Sequence, residues 1–343
     1  MLSPYNNFDA RLRLTVALLD PSAFERFQAA KKGQALSQAQ WEKTREDVLG
    51  LVADLFVDAK RKEETARLLK TLVDKYQMGY ELSQENLAQG TGSDVDADKY
   101  KTQLDQTKYL YIQAQQQSHD ADLDLEAALQ ISLKRPLVLI DDPAFFKTLR
   151  NEAAINFNNV DSADMALAQS QLEATKADER SAKADFLPKV SGTANYGRSG
   201  ESPGNGSNTY FVGAQVSVPL WEGGSQQAQL REVKGQVKEA QENLADTLQA
   251  EQVNEAKARA AILESEQLMQ AKAQKRITAE KLLKIAFHAQ EIGTGTVFDL
   301  MQAKSDLAMA EDEYNEAQAA WVMAHIDLLH SKGLLRKLVK QGE

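Results

Sequence analysis

Apolar positions recur at intervals of three and four residues along two stretches of the chain, residues 97–125 and 300–328. The two intervals alternate without a break, and large side chains alternate with small ones. This heptad pattern is typical of α-helices that pack along a narrow seam, where small residues let neighbouring helices approach closely. The predicted seam residues are Ala97, Tyr100, Leu104, Thr107, Tyr111, Ala114, Ser118, Ala121 and Leu125, and Leu300, Ala303, Leu307, Ala310, Tyr314, Ala317, Trp321, Ala324 and Leu328.

A long segment with almost no helix breakers precedes each of these stretches, and both segments end in Gly-Thr-Gly. A helix of such length, at about 1.5 Å per residue, extends over roughly 100 Å. Because Gly-Thr-Gly predicts a tight turn, each long helix should form a hairpin with the helix that follows it. The predicted elements are long helices over 24–89 and 225–292, tips over 90–95 and 293–298, return helices over 96–133 and 299–335, and a separate helix over 145–185.

Three shorter segments alternate apolar and polar residues with a period of two, which predicts β-strands. They are residues 8–19, 186–197 and 208–221, and a polar, glycine-rich loop over 197–207 joins the last two as a hairpin. Strands of about ten residues, with one apolar face and with aromatic residues near their ends, are typical of barrels that span a membrane. If these strands stood alone, a half-buried sheet in a soluble protein would explain the pattern better.

The two hairpins resemble each other in sequence as well as in pattern. A shift of 203 residues superimposes residues 90–125 on 293–328 with twelve identities in 36 ungapped positions. Two alanine-rich helices can match through composition alone, but the shared Gly-Thr-Gly and the shared tyrosine are not typical helix filler. We therefore predict a tandem duplication, with repeats over residues 1–142 and 143–343.

Composition narrows the classes of function. The chain has 343 residues, 40 of them basic and 50 acidic, for a formal net charge of −10. This balance argues against a sequence-independent nucleic-acid clamp, which needs a basic face. Cysteine is absent, which excludes disulfides, cysteine-ligated zinc and cysteine nucleophiles. No apolar run approaches the ~18 residues of a membrane-spanning helix.

We find no pattern that predicts catalysis or a bound cofactor. P-loop, Gly-x-Ser-x-Gly and His-Glu-x-x-His motifs are absent from the sequence. The four histidines are dispersed, and the spacing of His325 and His330 does not place both on one helix face as metal ligands. Acidic pairs such as Asp141-Asp142 are typical of solvated surfaces. We therefore predict a protein that is not an enzyme, with no cofactor and no metal site.

Three motifs resemble those of the TolC-like outer-membrane efflux proteins, in the same order and over essentially the whole chain. They are Phe186-Leu-Pro-Lys-Val190, Val218-Pro-Leu-Trp-Glu-Gly-Gly224 and Ile292-Gly-Thr-Gly-Thr-Val-Phe-Asp-Leu300. The resemblance implies a mainly α fold with a small β part. Tandem-duplicated long helical hairpins would form a periplasmic α-barrel, and antiparallel strands would contribute to a trimeric outer-membrane β-barrel.

The same resemblance implies the partners and the cellular location. The protein would be a homotrimer in outer-membrane lipid, extending into the periplasm. It would bind a periplasmic adaptor, also called a membrane fusion protein, and an inner-membrane pump, but no nucleic acid. Its function would be that of a passive channel-tunnel subunit for efflux or type I secretion. The alternative is a soluble or periplasmic coiled-coil scaffold or adaptor without channel activity, which would not need the strands or the Pro-Leu-Trp-Glu-Gly-Gly turn.

The front of the chain departs from the family pattern. The second repeat has 80 residues, 143–222, before its long helix, and the first has only the 20 that end at Asp20, a difference of 80 − 20 = 60. We therefore expect a signal peptide, a first helix and a first strand to be missing from this sequence. A truncated gene, a misplaced start codon or a fragment would account for all three.

The resemblance also assigns roles to individual residues. Asp299 and its repeat-equivalent Asp96 would ring the pore entrance, where like charges from three chains would raise carboxylate pKa values and attract cations. Gln302 stands where the family often has a second acid, and Gly295 where it often has a basic residue. As the alternative, Asp299 is an ordinary acid at a helix N-terminus, favoured by the helix dipole.

Further residues are assigned to the channel wall and to the tips. Leu14, Val16, Val216 and Val218 should face lipid, whereas Thr15 and Ser217 should face water. The residues expected to line the barrel lumen are Arg11, Arg13, Lys189, Thr193 and Gln215. The tip residues expected to contact the adaptor are Gly90, Thr91, Gly92, Gly293, Thr294 and Gly295.

Overall fold

The computed structural model describes residues 7–131, 139, 162–202 and 204–336. It confirms the predicted fold class, because long helices dominate and one small antiparallel sheet accompanies them. Among the described residues, no helix is both long enough and apolar enough to cross a membrane. The elements are β1 (Phe8–Leu19), α1 (Pro21–Ala88), α2 (Asp94–Leu129), α3 (Ala163–Ala184), β2 (Lys189–Gly200), β3 (Gly206–Ser217), α4 (Ser225–Glu291) and α5 (Val297–Ser331).

The chain divides into two compact units, and the first contains the sheet. It comprises Met1–Lys43 and Ala163–Gln249. The strand order is β1-β2-β3, with both neighbouring pairs antiparallel. Asp20 begins α1, since its carboxylate accepts hydrogen bonds from the Ala23 N–H at 3.0 Å and the Ser22 hydroxyl at 2.8 Å. Such N-caps satisfy backbone N–H groups that the first helical turn leaves free.

The hairpin of β2 and β3 is longer than the sequence predicted. The predicted loop covered residues 197–207, but the ladder continues to a pair formed by Gly200 and Gly206. A Cβ on Gly200 would lie 2.6 Å from the Gly206 Cα, so the two strands approach too closely here for larger residues. The prediction was wrong because backbone pairing does not require apolar side chains at the hairpin end. At the end away from the hairpin loop both strands are shorter than predicted, because Phe186 lies before β2 and Val218 lies after β3.

The second unit contains the helical hairpins. It comprises Thr44–Ser162 and Ala250–Glu343. Most of the predicted seam is buried, and Tyr111, Ser118, Ala303, Leu307 and Tyr314 are half-buried. One buried cluster joins α1, α2 and α5 near the tips, and another joins α5 to α1 farther from the tips. The first contains Leu72, Tyr76, Tyr100 and Leu104, with Val297 and Met301 packed against them; the second contains Trp321, Val322, Ile326, Leu329, Leu334 and Leu335.

Helix α5 ends earlier than predicted, and a compact turn follows it. The sequence predicted a helix to residue 335, but Gly333 takes a left-handed φ of 60°. The Leu334 N–H then donates to the Leu329 carbonyl, which closes a Schellman-type helix end. The Leu335 N–H donates to the buried Glu46 carboxylate at 2.7 Å. The residues after α5 thereby fold back into the core instead of extending the helix.

Two other predicted helices also differ at their ends. Helix α2 ends at Leu129 and not at residue 133, because Gln130 adopts the left-handed conformation with φ 53°. Helix α3 is described from Ala163, so the predicted segment 145–161 lies outside the described residues, as does the Asp141-Asp142 pair.

Gly79→Leu is expected to destabilise the second unit by about 1–3 kcal/mol, the usual cost of overpacking. A Cβ at Gly79 would lie 2.7 Å from the Tyr100 ring, which packs across the α1–α2 contact. At the shift of 203 residues the equivalent pair is Leu282 and Ala303, so the second repeat has its large residue on the other helix.

A double-mutant cycle tests this exchange of sizes. In the background of Tyr100→Ala, Gly79→Leu recreates the pair found in the second repeat and should cost almost nothing. Urea unfolding of the four proteins should then give a coupling energy of at least about 1 kcal/mol. Strictly additive losses would show that Gly79 and Tyr100 do not constrain each other.

Candidate functional site

The five residues predicted to line a lumen lie on one face of the sheet. Directly opposed residues in an antiparallel pair share a face, and successive residues alternate between faces. The register pairs Thr15 with Thr193, and Ser191 with Gln215. Odd-numbered residues of β2, of β3 and of β1 as far as Ala17, where the register shifts, therefore share a face, which we call the polar face. Its members include Arg11, Arg13, Thr15, Lys189, Ser191, Thr193, Asn195, Thr209, Phe211, Gln215 and Ser217.

The opposite face of the sheet is apolar and exposed. Leu12, Leu14 and Val212 have 81%, 63% and 78% of their surface exposed. A sheet in a soluble protein covers its apolar face with other elements. The described residues provide no such cover, so the half-buried soluble sheet does not fit. The apolar members of this face, which we call the apolar face, include Leu12, Leu14, Val16, Ala194, Tyr196, Tyr210, Val212 and Val216, and Arg198 lies on it near the hairpin end.

Local ion pairs hold two of the basic side chains on the polar face. The Arg11 Nε lies 2.6 Å from the Asp9 carboxylate, one position away on the same face. The Lys189 Nζ lies 3.5 Å from the Asp185 carboxylate in the turn before β2. These pairs offset the charge of Arg11 and Lys189 at the two ends of the face.

The two tips have the same backbone structure. In each, the N–H of the first glycine donates to the carbonyl three residues earlier. The N–H groups of the threonine and of the second glycine then share one carbonyl, that of Asn86 or of Ala289, which the threonine hydroxyl also approaches. All six predicted tip residues belong to these turns. Residues 90–92 and 293–295, about 200 positions apart in the chain, thus form the same turn.

Each glycine of a tip is required for a different reason. Gly90 and Gly293 have φ values of 70° and 73°, which residues with a side chain rarely adopt. At Gly92 an added Cβ would lie 2.7 Å from the Leu87 nitrogen, and at Gly295 it would lie 3.0 Å from the Ala289 Cβ. The repeated Gly-x-Gly therefore follows from the turn itself.

Asp299 forms a capping box at the start of α5. Its carboxylate accepts hydrogen bonds from the Thr296 N–H at 3.0 Å and from the Thr296 hydroxyl at 2.7 Å, while its own N–H donates to that hydroxyl oxygen. These bonds lower the pKa of Asp299 below its ordinary value of 3.8. Within one chain Asp299 is therefore a helix-start acid, and the pKa rise expected where three chains converge stays a prediction.

Asp96 and Gln302 make separate contacts. The Asp96 carboxylate lies 3.3 Å from the Lys99 Nζ, one turn along α2. Gln302 donates to the Asp306 carboxylate at 3.0 Å, one turn along α5. The two acids thus bond directly to different partners, Lys99 and Thr296, and Gln302 bonds to neither of them.

An aromatic contact that the sequence analysis missed links the starts of α2 and α5. The Lys99 Nζ lies 5.1 Å from the centre of the Phe298 ring, and the Tyr100 ring meets Phe298 edge-on at 6.0 Å. Burial raises the pKa of Tyr100 to about 12, with Asp96 and Asp299 adding to the shift. Both predicted entrance acids therefore lie near Tyr100. No local sequence pattern signals the contact of Phe298 with Lys99 and Tyr100, because the partners are about 200 positions apart.

The capping box, in contrast, could have been recognised from the sequence. Thr296-x-x-Asp299 resembles the capping-box signature.

Long helical hairpins with glycine tips, joined to an antiparallel sheet with one polar and one exposed apolar face, define the class of outer-membrane channel-tunnel proteins. The chain belongs to the outer membrane efflux protein family, whose model matches residues 3–129 and 159–334. It is an outer-membrane channel-tunnel subunit that extends into the periplasm.

Comparisons with individual proteins agree with this family. The chain is 22% identical to the alkaline protease secretion protein AprF of Pseudomonas aeruginosa, covering 96% of this chain and 70% of AprF. It is 24% identical to the proteases secretion protein PrtF of Dickeya chrysanthemi, covering 97% and 74%. Its fold is similar to that of the Campylobacter jejuni CmeC outer membrane channel, with a TM-score of 0.78, 16% identity, and coverage of 98% and 74%.

Proposed function

We propose that the chain forms a homotrimeric passive conduit for type I secretion or efflux, and that it catalyses no reaction. The observation that carries the proposal is the pair of exposed faces on the sheet, one apolar and one polar. Lipid would cover the apolar face, and the polar face would line an aqueous lumen. Among the described residues, the outer edges of β1 and β3 pair with no further strand, so copies of the chain would close the barrel by pairing edges.

The two tips support a periplasmic adaptor as partner. Their turns share one hydrogen-bond pattern, so the same adaptor element can bind either tip of a subunit. Residues 90–92 and 293–295 would make this contact, and an inner-membrane pump would deliver cargo beyond it. AprF and PrtF are named for the secretion of proteases. We therefore favour polypeptides as cargo and type I secretion as the export route.

The lumen and entrance assignments belong to the same proposal. Arg11, Arg13, Lys189, Thr193 and Gln215 would face the lumen of the strand region. Asp96 and Asp299 would lie at the periplasmic entrance, since both adjoin the tips that the adaptor would bind.

Asp299→Asn is expected to reduce the cation selectivity of reconstituted channels. Three Asp299 carboxylates at a narrow entrance would attract cations, and within each chain the hydrogen bonds from Thr296 lower the pKa of Asp299 and so favour its charged form. Asparagine keeps a side-chain oxygen that can accept from the Thr296 N–H, and Thr296 remains the N-cap, so the helix start should persist. The effect should be larger at 0.01 M salt than at 0.1 M, because the Debye length grows from about 10 Å to 30 Å.

Planar-bilayer recording tests both the conduit and its entrance. Asp98→Asn is the matched control, since Asp98 is an exposed acid on α2 two positions from Asp96. We expect channels from all three proteins and reduced selectivity in Asp299→Asn alone. Absence of channels from the parent protein, prepared with the expected first helix and first strand, would refute the conduit, whereas equal selectivity of Asp299→Asn and the parent would refute only the entrance role.

A further inference from the structure

We propose that Arg13, Asn195 and Phe211, a row of side chains across the polar face, form a contact site for acidic polypeptide cargo. This inference rests on the proposed function, in which the polar face lines the lumen. The register places Arg13 opposite Asn195, and Asn195 opposite Phe211. The row therefore crosses the whole sheet at the middle of its strands, with a cation at one edge and an aromatic ring at the other.

Arg13 differs from the other basic residues of the polar face because its charge is not offset. Arg11 is paired with Asp9, and Lys189 with Asp185. Arg13 is exposed, and it makes no ion pair or hydrogen bond to any residue that the structure describes. A guanidinium group in this state can offer its full set of donors to a carboxylate that passes it.

Phe211 is an aromatic residue on the face where the strand pattern calls for polar ones. It is 54% exposed, and its ring lies against Gly213, where an added Cβ would be 2.7 Å from the ring. Contact with lipid does not explain this position, because the apolar residues of β3 occupy the other face. A ring supported by a glycine on the lumen side is suited to contact apolar side chains of cargo.

The charge of the strands supports an anionic cargo. The three strands contain four basic residues, Arg11, Arg13, Lys189 and Arg198, and one acidic residue, Asp9, so their net charge is 4 − 1 = +3. The complete chain has a net charge of −10. The sheet is therefore a basic segment in an acidic protein, and the apolar membrane around it would focus its field into the lumen. Three copies of Arg13 would form a ring of positive charge.

An acidic polypeptide fits this row better than a small anion does. Its carboxylates can accept hydrogen bonds from Arg13, its backbone can bond to the Asn195 amide, and its apolar side chains can contact Phe211. A simple anion would use only the first of these contacts. The row would thus bind extended chains weakly and repeatedly as they leave the cell.

Block of reconstituted channels by polyglutamate, added from the extracellular side, tests the role of Arg13. At 0.01 M salt we expect Arg13→Gln to weaken the block at least about tenfold, and we expect the difference to shrink at 1 M salt, where the Debye length is about 3 Å. Arg198→Gln is the matched control, since Arg198 lies on the other face and donates to the Gly206 carbonyl at 2.8 Å. Arg13→Lys should retain most of the block.

A chemical test in a single open channel removes any dependence on folding. The chain has no cysteine, so Arg13→Cys supplies one reactive thiol per subunit. A cationic thiol reagent should restore polyglutamate block in this variant, and an anionic reagent should not. Phe211→Ala should weaken block by a glutamate–tyrosine copolymer but leave polyglutamate block unchanged.

The outcomes separate this inference from the proposed function. Parent channels that conduct but are not blocked by polyglutamate, or that are blocked equally with Arg13→Gln, would overturn the cargo site and leave the conduit intact. Equal loss of block in Arg198→Gln would also overturn it. A parent protein that forms no channel would overturn the conduit itself.

Discussion

Lys332→Ala should destabilise the folded protein by about 3 kcal/mol, the low end of the range for breaking a buried ion pair. The Lys332 side chain is only 11% exposed, and its Nζ lies 2.5 Å from the Glu255 carboxylate and 3.7 Å from that of Glu251. Removing the ammonium leaves the half-buried carboxylates of Glu251 and Glu255 on α4 without their main partner. The loss stays at the low end because Arg259 still contacts Glu255 at 3.0 Å.

Lys275→Ala is the matched control for this change. The Lys275 Nζ lies 2.6 Å from the Glu313 carboxylate, but its side chain is 53% exposed. Exposed pairs contribute about 0–1 kcal/mol, and Lys272 remains beside Glu313 at 2.8 Å. Urea unfolding of the two variants and the parent, followed by circular dichroism, compares the losses. Equal losses would show that the burial of Lys332 has no energetic consequence.

The pH dependence of the same comparison has a defined sign. The hydrogen bond from Lys332 lowers the pKa of Glu255 below its ordinary value of 4.5. A lowered carboxylate pKa stabilises the folded state above the ordinary value, and this stabilisation is lost as pH falls through the lowered one. The difference in the free energy of unfolding between the parent and Lys332→Ala should therefore be constant near neutral pH and become smaller in acid. If this difference became larger below pH 4.5, Lys332 would not be the group that lowers the pKa of Glu255.

The sequence was sufficient where the fold follows a local period. The heptad spacing predicted the buried residues of α2 and α5, and the period-two alternation predicted which strand residues share a face. Because the strand pattern is also that of a soluble half-buried sheet, only the exposure of Leu14 and Val212 separated the two interpretations. Local periodicity thus determines which residues share a face, but not what covers that face.

Features built from distant segments could not be predicted in this way. Glu46 binds the Leu335 N–H, and Lys99 meets Phe298, so each contact joins residues about 200 or more positions apart. The hairpin end at Gly200 was missed because glycine-rich sequence predicts a loop as readily as a close approach of two strands. Residue roles at the tips and in the lumen depend on neighbouring copies and partners, which a single chain does not contain.

Leu14→Arg should prevent assembly of the proposed membrane-inserted trimer, whereas Thr15→Arg should leave it largely intact. The two residues are adjacent in β1 but lie on opposite faces, Leu14 paired with Ala194 and Thr15 with Thr193. An arginine facing lipid at mid-membrane costs about 2–4 kcal/mol per chain, and a trimer would incur that cost three times. An arginine on the polar face would remain in water, beside the native Arg13.

The decisive measurement is the yield of heat-resistant trimer in the outer membrane, compared between these two variants in a protein that carries the expected signal peptide, first helix and first strand. If the apolar face of the sheet lies in lipid, Leu14→Arg should abolish the trimer and Thr15→Arg should retain most of it. Equal yields from the two variants, whether both high or both low, would contradict a sheet with one face in lipid and one in water.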